Sequence, residues 1–167
     1  MNLITNKSEP SQSPFAPQWH YHMGYDSISN VDFKKISKII LKKEKSILKK
    51  FPSSNDGYTG LGDNSLTSRH KHFNIFSWSE PEIKKLKLII LDFKEIRVNG
   101  LSNFYLKGWA NVMRKGESIK AHLHSAKPTS YLSGHICVQC EKTATYYINP
   151  VNQLNEPYTN KIPNEVG

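Results

Sequence analysis

The chain has 167 residues, long enough to bury one core and too short for two large domains. With 37% hydrophobic and 22% charged residues and eight Tyr, seven Phe and three Trp, it is neither a low-complexity tail nor a disordered acidic segment. The net charge of +9 comes almost wholly from lysine, Arg69, Arg97 and Arg114 being the only arginines, which favours diffuse attraction to polyanions over base reading by the arginine fork.

Residues 1–18 are polar and carry Pro10, Pro14 and Pro17, so they read as a flexible N-terminal arm. No apolar leader stands at the N-terminus, and the longest greasy run, Leu88 to Leu91, is far below the ~20 residues that cross a bilayer. The expected address is the cytoplasm, of a bacterium or of an infected host cell, with no membrane partner.

From Asp32 to Lys50, Phe33, Ile36, Ile40, Ile47 and Phe51 recur at spacings of three, four and seven with lysines between them. This predicts an amphipathic helix stopped by Pro52. Its eight lysines form a solvated face that is also open to non-specific polyanion binding. Residues 52–68 hold Gly57, Gly60 and Gly62 among Asn, Asp and Ser, which predicts a long ordered loop. No Gly-Lys-Ser/Thr follows it and no apolar strand leads into it, so a phosphate cradle is not expected. Ser79-Glu80-Pro81-Glu82 then has the pattern of a helix start, and Ile83, Leu86, Ile90 and Phe93 share one face of a second helix ending near Lys94.

Beyond Phe104 the apolar period shortens to two, with strand-like runs at 104–112, 119–124, 134–140 and 143–148. Helices first and strands afterwards predict an α+β fold. The expected organisation is an arm over 1–18, a helical support region with its glycine-rich loop over 19–103, and a β core over 104–167.

Six of the seven histidines stand in His-x-His pairs, 20/22, 70/72 and 122/124. In Ile119-Lys120-Ala121-His122-Leu123-His124 the apolar residues share one strand face, which leaves both imidazoles on the other, spaced to chelate one first-row metal ion. Histidines that merely hydrogen-bond their neighbours are the alternative. Cys137 and Cys140 have the C-x-x-C spacing of half a zinc site, but residues 135–140 read as a strand that points them to opposite faces, so core packing is expected instead.

Several motifs together carry a resemblance. Gly57-Tyr58-Thr59-Gly60-Leu61-Gly62, Leu66-Thr67-Ser68-Arg69, Gly108-Trp109-Ala110-Asn111-Val112, Gly116, His122-x-His124, Tyr131-Leu132-Ser133-Gly134-His135 and Thr143-x-Thr145-x-Tyr147 resemble the 2-oxoglutarate- and Fe(II)-dependent oxygenases found in phage and marine bacterial sequences. The resemblance covers about residues 55–150. It implies a double-stranded β-helix, a cupin-like jelly roll, incomplete here and flanked by the two helices. It also implies a dioxygenase, in particular a hydroxylase, with Fe(II) and 2-oxoglutarate as cofactors.

Residue by residue, the resemblance makes His122 an iron ligand and places His124 where the wider superfamily has the Asp or Glu of a 2-His-1-carboxylate triad. Asn111 and Tyr131 become contacts for 2-oxoglutarate or substrate. The family's distal His and the Arg or Lys that anchors the cosubstrate have no counterpart after His135. The expectation is therefore a C-terminally truncated chain, inactive and poorly soluble alone, unless His20, His70, His72 or His135 completes the site. Two rivals remain open: a non-catalytic cupin-like binding module, and a small zinc domain using His122, His124, Cys137 and Cys140.

Overall fold

The computed structural model describes residues 2–8, 13–15, 18, 20–95, 104–122, 124, 132–148 and 159–165. Elements follow the order β1 (Asn2–Lys7), β2 (His20–Tyr25), α1 (Phe33–Lys50), α2 (Pro81–Glu95), β3 (Ala144–Ile148) and β4 (Thr159–Pro163), with short 3-10 turns at Thr67–Arg69 and Ile75–Ser77. They form two compact units, one of residues 31–138 and one of residues 1–30 with 139–167. The sequence reading divides the chain differently, at 18/19 and 103/104.

In the first unit α1 forms where the isoleucine spacing predicts it. Asp32 caps it by accepting a hydrogen bond of 3.0 Å from the Lys35 amide. At the other end Pro52 cannot continue the ladder, and the Phe51 amide makes the last bond to the Ile47 carbonyl at 3.0 Å. Phe33, Ile36, Ile40 and Ile47 are buried, and Ile83 and Leu86 of α2 are buried with them, Ile83 completely. Each such side chain withdrawn from water stabilises the unit by roughly 1.5–3 kcal/mol. Glu82, in the first turn of α2, accepts the Asp32 backbone N–H at 3.2 Å and so locks the starts of the two helices together. Lys43 of α1 pairs with Glu80 at 2.8 Å and lies 4.9 Å from the centre of the Trp78 ring, adding a second tie.

The segment over 104–122 is fixed by loop hydrogen bonds and forms no strand ladder among its described residues. The Ile75 amide donates to the Gly108 carbonyl at 2.9 Å and the Gly108 amide to Asn74 Oδ1 at 3.0 Å. Asn74 Nδ2 donates to the Leu106 carbonyl at 2.9 Å. Arg114 reaches Glu44 of α1 at 2.8 Å, and the Lys120 amide donates to the Thr59 carbonyl at 2.8 Å. Alternation at 104–112 therefore records burial of Leu106, Gly108, Ala110 and Val112 and not strand pairing, while at 119–122 Ala121 is exposed and the apolar alternation has no buried face.

The second unit holds two two-stranded antiparallel sheets, β1 with β2 and β3 with β4. Residues 2–7, inside the segment read as an arm, pair with residues 20–25, Thr5 opposite His22 and Lys7 opposite His20. The strand expected over 143–148 is β3, in register with β4 from Ala144 opposite Pro163 to Ile148 opposite Thr159. Thr145 Oγ1 donates to Asn164 Oδ1 at 2.9 Å, beyond the end of β4. Among the described residues, no helix is long and apolar enough to cross a membrane.

Candidate functional site

The site is built from the glycine-rich loop upward. Asp56 is buried and gathers the loop around its carboxylate, accepting from the Gly62 amide at 2.9 Å, the Tyr58 amide at 2.9 Å and the Thr59 hydroxyl at 3.1 Å. These bonds, the one from Gly62 foremost, hold its pKa below the ordinary carboxylate value. They also hold Tyr58 at φ 65°, a left-handed conformation that an aromatic residue adopts only where its surroundings impose it.

The loop shaped in this way presents the Thr59 carbonyl to the Lys120 amide, and its next residue, Gly60 at φ +82°, lies under the Lys120 side chain. A Cβ at Gly60 would stand 3.1 Å from that side chain as well as in a backbone region side chains avoid. Lys120 in turn orients the first site histidine, because the His122 Nδ1–H donates to the Lys120 carbonyl at 2.8 Å. A carbonyl can only accept, so the proton is on Nδ1 and the Nε2 lone pair of neutral His122 is free.

His124 is placed similarly, with its Nδ1 hydrogen-bonded to the Ser133 hydroxyl. The rings of His122 and His124 have centroids 5.3 Å apart, and Trp109 lies 5.3 Å from His124. The Trp109 ring also lies 5.8 Å from that of His70, whose Nδ1–H donates to the Thr67 carbonyl at 3.1 Å. The Thr67 hydroxyl donates to Asn111 Oδ1 at 2.9 Å. Thr67 is buried and Asn111 exposed, so Asn111 is held through its Oδ1 by a buried hydroxyl. Burial lowers the pKa of both His70 and His124, and the neighbouring His122 lowers His124 further. Both shifts favour the neutral imidazole, the form that can donate a lone pair.

The residues singled out in the sequence separate as follows. His122, His124 and Asn111 belong to one unit, the first two in ring contact, and Tyr131 lies outside the described residues. His70 joins them through Trp109. His72 instead stacks on Phe51, with centroids 4.9 Å apart and planes 11° from parallel. His20 and His22 are the pair that a strand ladder carries, their rings 5.7 Å apart and His22 Nδ1 2.9 Å from Thr5 Oγ1. The sequence reading put a strand at 119–124, whose described residues form no ladder, whereas the run over 20–25 shows its strand only through pairing with β1.

The run over 134–140 is likewise no ladder, and Val138–Gln139 is a bend. Cys137 and Cys140 are half-buried and form no disulfide, and Cys140 donates to the Asn164 carbonyl at 3.2 Å. Among the described residues, no three His, Cys, Asp or Glu side chains gather around a common point. Arg69 is buried and engaged by the carbonyls of Asp63, Ser65 and Phe51 and the Ser68 hydroxyl, so it is a clamp on the loop.

Asp56, Thr59 and Lys120 form the supporting path that residue types alone did not reveal. The Gly-x-x-Gly-x-Gly spacing pointed to an ordered loop, and the acid just before it was the available signal. Protonating Asp56 removes the acceptor the loop depends on. Since its folded pKa lies below the unfolded value of 3.8, its stabilisation is complete above that pH and fades as the pH falls through the folded pKa. Asp56→Asn should therefore lower the thermal midpoint at pH 7, with the gap from wild type closing below about pH 3.8 in a pH series of melting curves.

Comparison with protein-family models, with curated proteins and with solved structures finds no match to this chain.

Proposed function

We propose that this chain supplies metal ligands of a 2-oxoglutarate- and Fe(II)-dependent oxygenase, a hydroxylase on a double-stranded β-helix, with His122 and His124 as ligands and Asn111 and Tyr131 as contacts for cosubstrate or substrate. The observation that carries the reading is the pair of imidazoles 5.3 Å apart, each with Nδ1 bonded to oxygen. Two imidazoles sharing one tetrahedral ion at metal–nitrogen distances of about 2.1 Å have ring centroids roughly 5 Å apart. A ligating histidine characteristically gives its other N–H to an oxygen, which fixes the tautomer that frees Nε2. The donor set therefore suits a first-row divalent ion.

When bound, Fe(II) with 2-oxoglutarate and O2 would supply the chemistry that hydroxylates a C–H bond, one oxygen atom going to the hydroxyl and the other to succinate as carbon dioxide is lost. The chain's own residues hold and orient. His122 is set by Lys120, and Lys120 by the loop that Asp56 folds. Trp109 packs its ring beside that of exposed His124, centroids 5.3 Å apart. Asn111, steadied by Thr67, offers an N–H donor suited to a carboxylate.

The test is calorimetric titration of 2-oxoglutarate into the protein under anaerobic conditions, with and without Fe(II). Binding that requires Fe(II) and is lost in His122→Ala is the expected result. Binding independent of the metal, or unchanged in His122→Ala, would refute the proposal.

A further inference from the structure

The outer face of α1 carries a charge pattern that the metal chemistry does not use. At about 100° per residue, Lys34, Lys38, Lys42, Lys45 and Lys49 fall within an arc of roughly 80°, directly opposite the buried Phe33, Ile36, Ile40 and Ile47. All five are exposed. Among the described residues none has a carboxylate partner: the ion pairs of the helix use Lys35 with Asp32, Lys43 with Glu80, and Glu44 with Arg114. Glu44 is the only acid within α1, and it lies off the stripe on the flank facing Arg114. From Lys34 to Lys49 the stripe runs about 22 Å at 1.5 Å per residue.

We infer that this stripe binds the phosphate backbone of a duplex nucleic acid without reading its sequence. About 22 Å of duplex presents some 13 phosphates, ample for five ammonium groups on a rigid rod. Lysine is a point charge that positions on phosphate, where base recognition would call for the planar arginine fork. A membrane surface is the weaker fit. A helix that lies in a lipid interface inserts its apolar face, and here that face is already buried against α2. The inference stands apart from the metal reading, since it uses none of the same residues.

Fluorescence anisotropy with two labelled 20-base-pair duplexes of unrelated sequence tests it across a KCl series. Five phosphate contacts give a slope of log K against log [KCl] near −4.5, or about 500-fold between 50 and 200 mM. The two duplexes should agree within about twofold.

Replacing the five stripe lysines by glutamine, which keeps helix propensity, should weaken binding more than about 10-fold at 100 mM and flatten the slope by at least about 3. A matched variant losing Lys71, Lys84, Lys85, Lys107 and Lys115 to glutamine should stay within about threefold of wild type, since these exposed lysines lie off the stripe. Should the five-fold stripe variant fail to fold by circular dichroism, Lys38→Gln/Lys45→Gln serves in its place, with an expected slope change of about 2. Equal losses in the stripe and matched variants, no loss in the stripe variant, disagreement between the duplexes, or tighter binding to phosphatidylserine vesicles than to duplex would each overturn the inference.

Discussion

His122→Ala is expected to weaken Co(II) binding by more than about 100-fold, with His124→Ala close behind. Loss of an outer hydrogen-bonding partner already costs about 10- to 100-fold in metal affinity, and removal of a ligand costs more. With two neighbouring imidazoles as the donors, either one left alone is a monodentate ligand and the chelate is gone. The same logic ranks Ser133→Ala below both. It leaves the His124 imidazole in place but frees its orientation, so a loss within the outer-partner range is expected. Co(II) titrations followed by absorbance would order the three variants.

Gly108→Ala should destabilise the protein by about 1–3 kcal/mol, the range for forcing extra volume into a packed site. A Cβ built there meets Phe76 Cε2 closer than real side chains tolerate. Phe76 belongs to the short turn that Asn74 clamps to this segment, and that turn has little freedom to retreat. The substitution also moves Trp109, the next residue, away from His70 and His124. Gly108→Ala should therefore lower the unfolding free energy in urea and, where folded, quench or shift the Trp109 contribution to fluorescence more than Gly134→Ala, whose Cβ would enter open space.

These effects show where the sequence was legible. Helix α1 was readable because isoleucines three and four apart, a capping Asp32 and a stopping Pro52 all act within a few residues of themselves. Helix α2 was readable from Pro81 and the Ile83, Leu86, Ile90 row for the same reason. The segment over 104–122 was not, because alternation reports which side of a chain is covered and not what covers it. There the covering is a pair of loops 30 to 60 residues earlier in sequence, bonded through Thr59 and Asn74.

The β1–β2 hairpin was hidden because residues 2–7 and 20–25 carry few apolar side chains, so pairing rather than burial defines it. At the site, the adjacency of His122 and His124 was visible in their spacing. The contact of Trp109 with His70 and the dependence on Asp56 were not, since each rests on a contact between distant segments.

The most direct measurement is the long-range proton–nitrogen NMR spectrum of the histidine imidazoles, recorded as Zn(II) is added to the protein. Zn(II) stands in here as a diamagnetic divalent ion. The Nε2 resonances of His122 and His124 should shift together, saturating at one ion per chain, while the His122 Nδ1 stays protonated and His72 remains unmoved. Zn(II) that shifts His20 and His22 while leaving His122 and His124 unchanged would contradict the assignment of the metal site.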